Sequence, residues 1–169
     1  MKRYVALLRA VNVGGTGKLP MSELRQLCED AGCENVRTYI QSGNVLFSTD
    51  AGVRKAKAAL ENRLEEAVGK HVSVFIRTPS EMRRILDENP FQGREGRYTY
   101  VIFLDGPPPK DALEQAVHVN GEEMRLGRRA IYVYYTNGMG RSKLTIPAAR
   151  KGTARNMNTV AKLAAMGSE

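Results

Sequence analysis

This chain of 169 residues has no tryptophan, two cysteines, two histidines, fewer acidic than basic side chains and no long apolar run. The two cysteines, Cys28 and Cys33, are too few and wrongly spaced for a disulfide framework or a zinc site. Cys28 shares a helical face with Leu24, Leu27 and Ala31, the setting of a core thiol. The two histidines, His71 and His118, have no Cys or His neighbour at ligand spacing, so no metal site is expected. No apolar stretch approaches the roughly 20 residues of a membrane-spanning helix. Met1-Lys2-Arg3 leads straight into a strand pattern rather than a signal peptide, so the expectation is a cytoplasmic protein with no membrane partner.

The shortage of acid gives a net charge of +8, and it is uneven. Residues 1–77 carry 12 basic and 8 acidic side chains, residues 78–137 carry 8 and 9, and residues 138–169 carry 6 and 1. A basic balance favours phosphate-bearing or other anionic partners. A solvated surface with a basic bias is the plain alternative.

What is present outlines an α+β chain. Tyr4–Leu8 is apolar on both faces and reads as a central strand. A glycine-rich loop follows, and Pro20 opens a helix whose inward stripe is Leu24, Leu27, Cys28 and Ala31. The stretch from Arg37 to Ser48 then reads as a hairpin. Val36, Thr38 and Ile40 share one pleat face, Ser42-Gly43-Asn44 form the bend, and Val45 and Phe47 resume the alternation. A second helix over 53–68 turns Val53, Leu60, Leu64, Ala67 and Val68 inward, and a strand follows at 71–77. The order βαββαβ is the ferredoxin-like pattern.

Thr78-Pro79-Ser80-Glu81 is a capping box, starting a helix that Asn89-Pro90 stops. A strand at 98–104, a stiff Gly106-Pro107-Pro108-Pro109 connector and a helix at 110–117 come next. Strands at 123–126 and 130–135 follow, and a tail helix spans 153–166. The expectation is two ferredoxin-like (α/β-plait) subdomains, residues 1–77 and 78–169, the second with its element order shifted.

Three polar stretches are candidates for chemistry. Gly14-Gly15-Thr16-Gly17-Lys18 follows a strand, but Asn12 and Leu19 stand where a Walker A loop needs Gly and Ser or Thr. A looser anion nest flanked by Arg9 and Lys18 remains, beside the reading of a purely conformational loop. Gly138-Met139-Gly140-Arg141-Ser142-Lys143 is a second glycine-flanked basic loop. Thr153-Ala154-Arg155-Asn156-Met157-Asn158 places polar groups at a helix N-terminus, which suits an anion. Together with Gln41, Ser42 and Asn44 of the hairpin turn, these groups are expected to form one ligand-binding site around Asn12, Gln41, Asn44 and Asn156.

No catalytic constellation stands out: Ser42 and Ser142 lack a recognisable base, and no acidic pair leaves the helix surfaces. Amide- and Arg/Lys-rich surroundings suit recognition of a small phosphorylated or anionic ligand. The alternatives are a nucleic-acid-binding protein with a basic surface, and an enzyme acting on a phosphorylated metabolite. The strand aromatics Tyr98, Tyr100, Phe103, Tyr132, Tyr134 and Tyr135 lack the signature of an RNA-recognition sheet, so packing is expected of them.

The stretches Leu7–Gly15, Thr38–Val45 and Thr153–Val160 together resemble the bacterial family designated domain of unknown function 1697. The likeness extends through Pro20-Met21, Asn89-Pro90-Phe91 and Ser142-Lys143-Leu144. Ala10 stands where the family usually has Gly, and Met157 where it usually has Trp. The resemblance implies two ferredoxin-like subdomains. It implies no activity and no cofactor.

Overall fold

The computed structural model describes residues 1–9, 19–39 and 43–169. Twelve regular elements follow one another among them: β1 (Lys2–Leu8), α1 (Met21–Asp30), β2 (Glu34–Tyr39), β3 (Asn44–Thr49), α2 (Val53–Val68), β4 (Val74–Arg77), α3 (Pro79–Asp87), β5 (Thr99–Phe103), β6 (Glu123–Leu126), β7 (Ala130–Tyr134), β8 (Thr153–Asn156) and α4 (Met157–Gly167). The protein is mixed α+β, with two four-stranded antiparallel sheets and four helices among the described residues. It divides into two compact units, one of residues 1–82 with 163–169, the other of residues 83–162.

In the first unit the strand order is β2-β3-β1-β4. Val5, Ala6 and Leu7 of β1 are wholly buried because antiparallel neighbours flank the strand on both edges and it is apolar on both faces. Tyr4, Ala6 and Leu8 join Leu24, Leu27 and Cys28 of α1 and Leu60 and Leu64 of α2 in one core. Burial pushes the Cys28 thiol up to about 12 and the Cys33 thiol up to about 11, the state of inert core sulfur. The hairpin sits where the alternation placed it, with Tyr39 opposite Asn44 and Thr38 opposite Val45. Gly43 adopts φ +77°, and a Cβ there would meet the Leu8 Cβ at 2.9 Å, so glycine is required on both counts.

The inward stripe of α2 differs from the expected one. Ala56, Leu60 and Leu64, spaced four apart, make the buried ridge, while Val53 and Ala67 are exposed. Each lies three residues from an end of that ridge and turns to its flank.

α3 starts on a reciprocal pair of bonds. Thr78 N–H donates to Glu81 Oε1 at 2.9 Å, and Glu81 N–H donates to Thr78 Oγ1 at 3.1 Å. In the second unit the order is β6-β7-β5-β8. Two elements differ here from the sequence expectation. Residues 110–117 make consecutive tight turns, not a helix: Ala112, Glu114 and Ala116 each bond to the carbonyl three residues back. The end of the run is set from outside it, since Val117 is drawn away into a bridge with Thr145. The tail helix begins at Met157, because Thr153–Asn156 is spent as the fourth strand, with Val101 opposite Arg155 and Phe103 opposite Thr153. Asn156 is the cap, its Oδ1 accepting from Thr159 N–H at 2.9 Å.

The two kinds of stabilisation in the first unit are separable by substitution. Thr78→Ala is expected to cost about 1 kcal/mol through the lost cap. Leu64→Ala is expected to cost about 2–5 kcal/mol through a core cavity. Urea unfolding of both variants checks the ranking, and a Thr78→Ala loss equal to that of Leu64→Ala contradicts it.

Candidate functional site

The hairpin of β6 and β7 is flanked by two polar loops, residues 117–122 before it and 135–145 after it. Val117 and Thr145 exchange backbone bonds of 2.9 and 3.0 Å at their base. Thr136 Oγ1 donates to the Gly121 carbonyl at 2.8 Å. Ser142 Oγ donates to Glu122 Oε2 at 2.5 Å, and Asn120 N–H donates to Glu122 Oε1 at 2.5 Å. These bonds hold open a cleft of about 360 Å³ whose lining includes His118, Asn120, Glu122, Tyr135, Asn137 and Ser142, with Arg141 and Lys143. The loops bend through left-handed backbone at His118 (φ 58°), Gly121 and Gly138.

The charges of the cleft are unequally committed. The Ser142 hydroxyl and then the Asn120 N–H hold the Glu122 carboxyl below the usual carboxylate range. Ser142 Oγ also accepts from Leu144 N–H at 3.1 Å, so its proton is directed at Glu122 and one lone pair is taken. Burial, with the nearby charge of Glu122, pushes the Tyr135 phenol up to about 12, and its ring packs edge-on against Tyr100 at 5.3 Å. Arg141 and Lys143 are exposed, and neither has an ion-pair partner among the described residues.

Of the residues singled out in the sequence, Ser142 and Lys143 come together in this cleft. Arg155, Asn156 and Asn158 gather at the junction of β8 and α4. Arg155 is buried, donating to Thr153 Oγ1 at 2.8 Å and the Ala154 carbonyl at 2.9 Å, and burial lowers its pKa to about 10. Asn156 is engaged as the cap, and exposed Asn158 lies against Gly96, where a Cβ would stand 2.2 Å from its Oδ1. Asn44 is wholly buried, its Nδ2 donating to the Tyr39 carbonyl at 3.0 Å. Arg9 is half-buried, its N–H on the Ser73 carbonyl at 2.9 Å. Asn12, Gly14, Gly15, Lys18, Gln41 and Ser42 lie outside the described residues.

Sequence reasoning gave His118 no ligand role and Tyr135 a packing role, and it passed over Asn120, Glu122 and Asn137. Two Asn-Gly dipeptides, 120–121 and 137–138, mark the sharp bends on either side of the β6–β7 hairpin and carried the available signal. The other strand aromatics are committed to packing. Arg94 stacks on the Tyr134 ring at 3.8 Å and Arg97 on Tyr98 at 4.7 Å, while Tyr132 donates to the Ile85 carbonyl at 3.3 Å. Among the described residues no group of three or more His, Cys, Asp or Glu side chains could hold a metal. No helix of the described residues is long and apolar enough to cross a membrane.

Comparison with known proteins places this geometry in context. A family model described as "Protein of unknown function (DUF1697)" matches residues 1–132. No curated protein matches the chain. Among solved structures, the conserved bacterial protein SP0830 from Streptococcus pneumoniae is similar over 100% of this chain and 99% of its own, with a TM-score of 0.79 and 23% identity. That likeness is one of fold.

The Glu122–Ser142 bond makes a direct prediction. In Ser142→Ala the Glu122 carboxyl loses its main stabilising donor, so its titration is expected to move up toward the ordinary glutamate range. Carboxyl-detected NMR titration reads this, and an unchanged midpoint would show that the hydroxyl is not what holds the carboxylate.

Proposed function

This chain belongs to the family of proteins of unknown function DUF1697, and within it we propose that the second unit binds a small phosphorylated or otherwise anionic ligand. The observation that carries the reading is the cleft between the β6 and β7 flanks. Its acid, Glu122, is already engaged by Ser142 and Asn120, whereas its cations, Arg141 and Lys143, have no acid partner among the described residues. Guanidinium and ammonium donors of this kind are the ordinary partners of phosphate and carboxylate. The amides of Asn120 and Asn137 add neutral donors, and a volume of about 360 Å³ suits a small ligand.

The Ser142–Glu122 pair is the one feature that favours an enzyme, since a carboxylate on a hydroxyl is a way to raise a nucleophile. A carboxylate held below its usual range has little proton affinity at neutral pH, which makes it a weak general base. Recognition is therefore the better reading. A finer fold assignment accompanies it. The βαββαβ order with strands β2-β3-β1-β4 supports a ferredoxin-like plait in the first unit. The second unit repeats the same strand positions as β6-β7-β5-β8 with turns where the first crossover helix would lie.

A thermal-shift screen of the full chain against inorganic phosphate, sugar phosphates and nucleotides tests the function, because a ligand of the folded state raises Tm by mass action. A rise with at least one anion is expected, and Arg141→Ala/Lys143→Ala is expected to lose most of it. An undiminished rise in that variant, or a response to neutral compounds alone, would overturn the assignment. Tight RNA or DNA binding that persists at high salt would move the role to nucleic acid.

A further inference from the structure

We infer, resting on the reading of the cleft as an anion site, that its ligand is an amphipathic anion: a phosphate or carboxylate head on a short apolar body. Six large apolar side chains are exposed among the described residues, Met1, Val53, Val117, Val119, Leu126 and Met139. Single exposed apolar residues are ordinary on any surface. Here one of the six lines the small polar cleft, and two more are chain neighbours of its lining residues. Val119 lines it and is 49% exposed. Val117 precedes the lining residue His118, and Met139 follows the lining residue Gly138, at 47% and 44% exposed.

These side chains stand on fixed backbone. Val117 is pinned by its bridge to Thr145, and Met139 opens a tight turn in which its carbonyl accepts Ser142 N–H at 3.1 Å. The apolar groups thus lie on both loops, and on the second the cations Arg141 and Lys143 follow directly after Met139 and Gly140. A purely hydrophilic anion would use the cations and leave Val117, Val119 and Met139 in water. An apolar body lying over them and the rim of the Tyr135 ring removes that surface from solvent, which is favourable in proportion to the area covered. The head pairs with Arg141 and Lys143, and the volume of about 360 Å³ limits the body to a short chain or one ring.

Calorimetric titration of the full chain with methyl, butyl, hexyl and phenyl phosphate tests this, with hexanol as the neutral arm and phosphatidylglycerol vesicles as the lipid-surface arm. Affinity is expected to rise with each added methylene, by up to about fourfold where the methylene is fully covered. The ratio of hexyl to methyl phosphate affinity is expected to collapse toward one in Val117→Ser/Val119→Ser/Met139→Ser. Equal affinity for all the phosphates overturns the amphipathic inference and leaves the anion site standing. Absence of binding by every soluble phosphate, or hexanol binding as well as hexyl phosphate, overturns both. Binding to vesicles without binding to soluble alkyl phosphates overturns the small ligand in favour of a lipid surface.

Discussion

Each sheet is organised by a strand that must satisfy neighbours on both edges. In the first unit that strand is β1, bonded to β3 on one side and β4 on the other. In the second it is β5, with β7 and β8 as partners. A strand so placed exposes no edge, and its partners must come from distant parts of the chain. Val101 and Phe103 are fully buried as a result, as are Val5 and Leu7. β8 reaches β5 from some fifty residues downstream, and in doing so it determines where α4 can start. β7 carries β6 at its outer edge, and the loops flanking that hairpin are free to diversify on a rigid support, the usual location of a binding site.

The electrostatics of the cleft follow from that placement. Glu122 lies just before β6 and Ser142 eight residues past the end of β7, so the hairpin and the loop that follows it bring together groups twenty residues apart. Their bond has two effects. It ties the second loop to the first, and it absorbs the only acidic side chain among the lining residues. Glu122 keeps its negative charge, and Arg141 and Lys143 together outnumber it, so the lining is net positive. A buried cation behaves differently. Arg155 is spent on Thr153 and the Ala154 carbonyl along its own strand, and its guanidinium serves the sheet.

Local chemistry was legible wherever a residue type dictates its own backbone. Gly43 at the hairpin bend, the Thr78–Glu81 box and the connection at 127–129 are all of this kind. The failures are places where a distant partner decides. Thr153 is both a good cap and a good strand residue, and four residues with one apolar side chain carry no alternation, so only β5 makes them a strand. Residues 110–116 contain good helix formers, yet they make turns that run into the Val117–Thr145 bridge, a partner twenty-eight residues away. Asn44 reads as a turn residue and a ligand donor, but it opens β3 and is wholly buried. Ser142 had no visible partner for the same reason: Glu122 is its neighbour only after the hairpin forms.

The central claim is that anion recognition resides in the cleft flanking β6 and β7. Amide chemical-shift mapping of the uniformly 15N-labelled full chain, titrated with phenyl phosphate at low ionic strength, addresses it residue by residue. The account predicts saturable shifts concentrated in residues 117–122 and 135–145. Saturable shifts centred on residues 19–50 or on the junction at 153–160, with 117–122 and 135–145 unmoved, would contradict it.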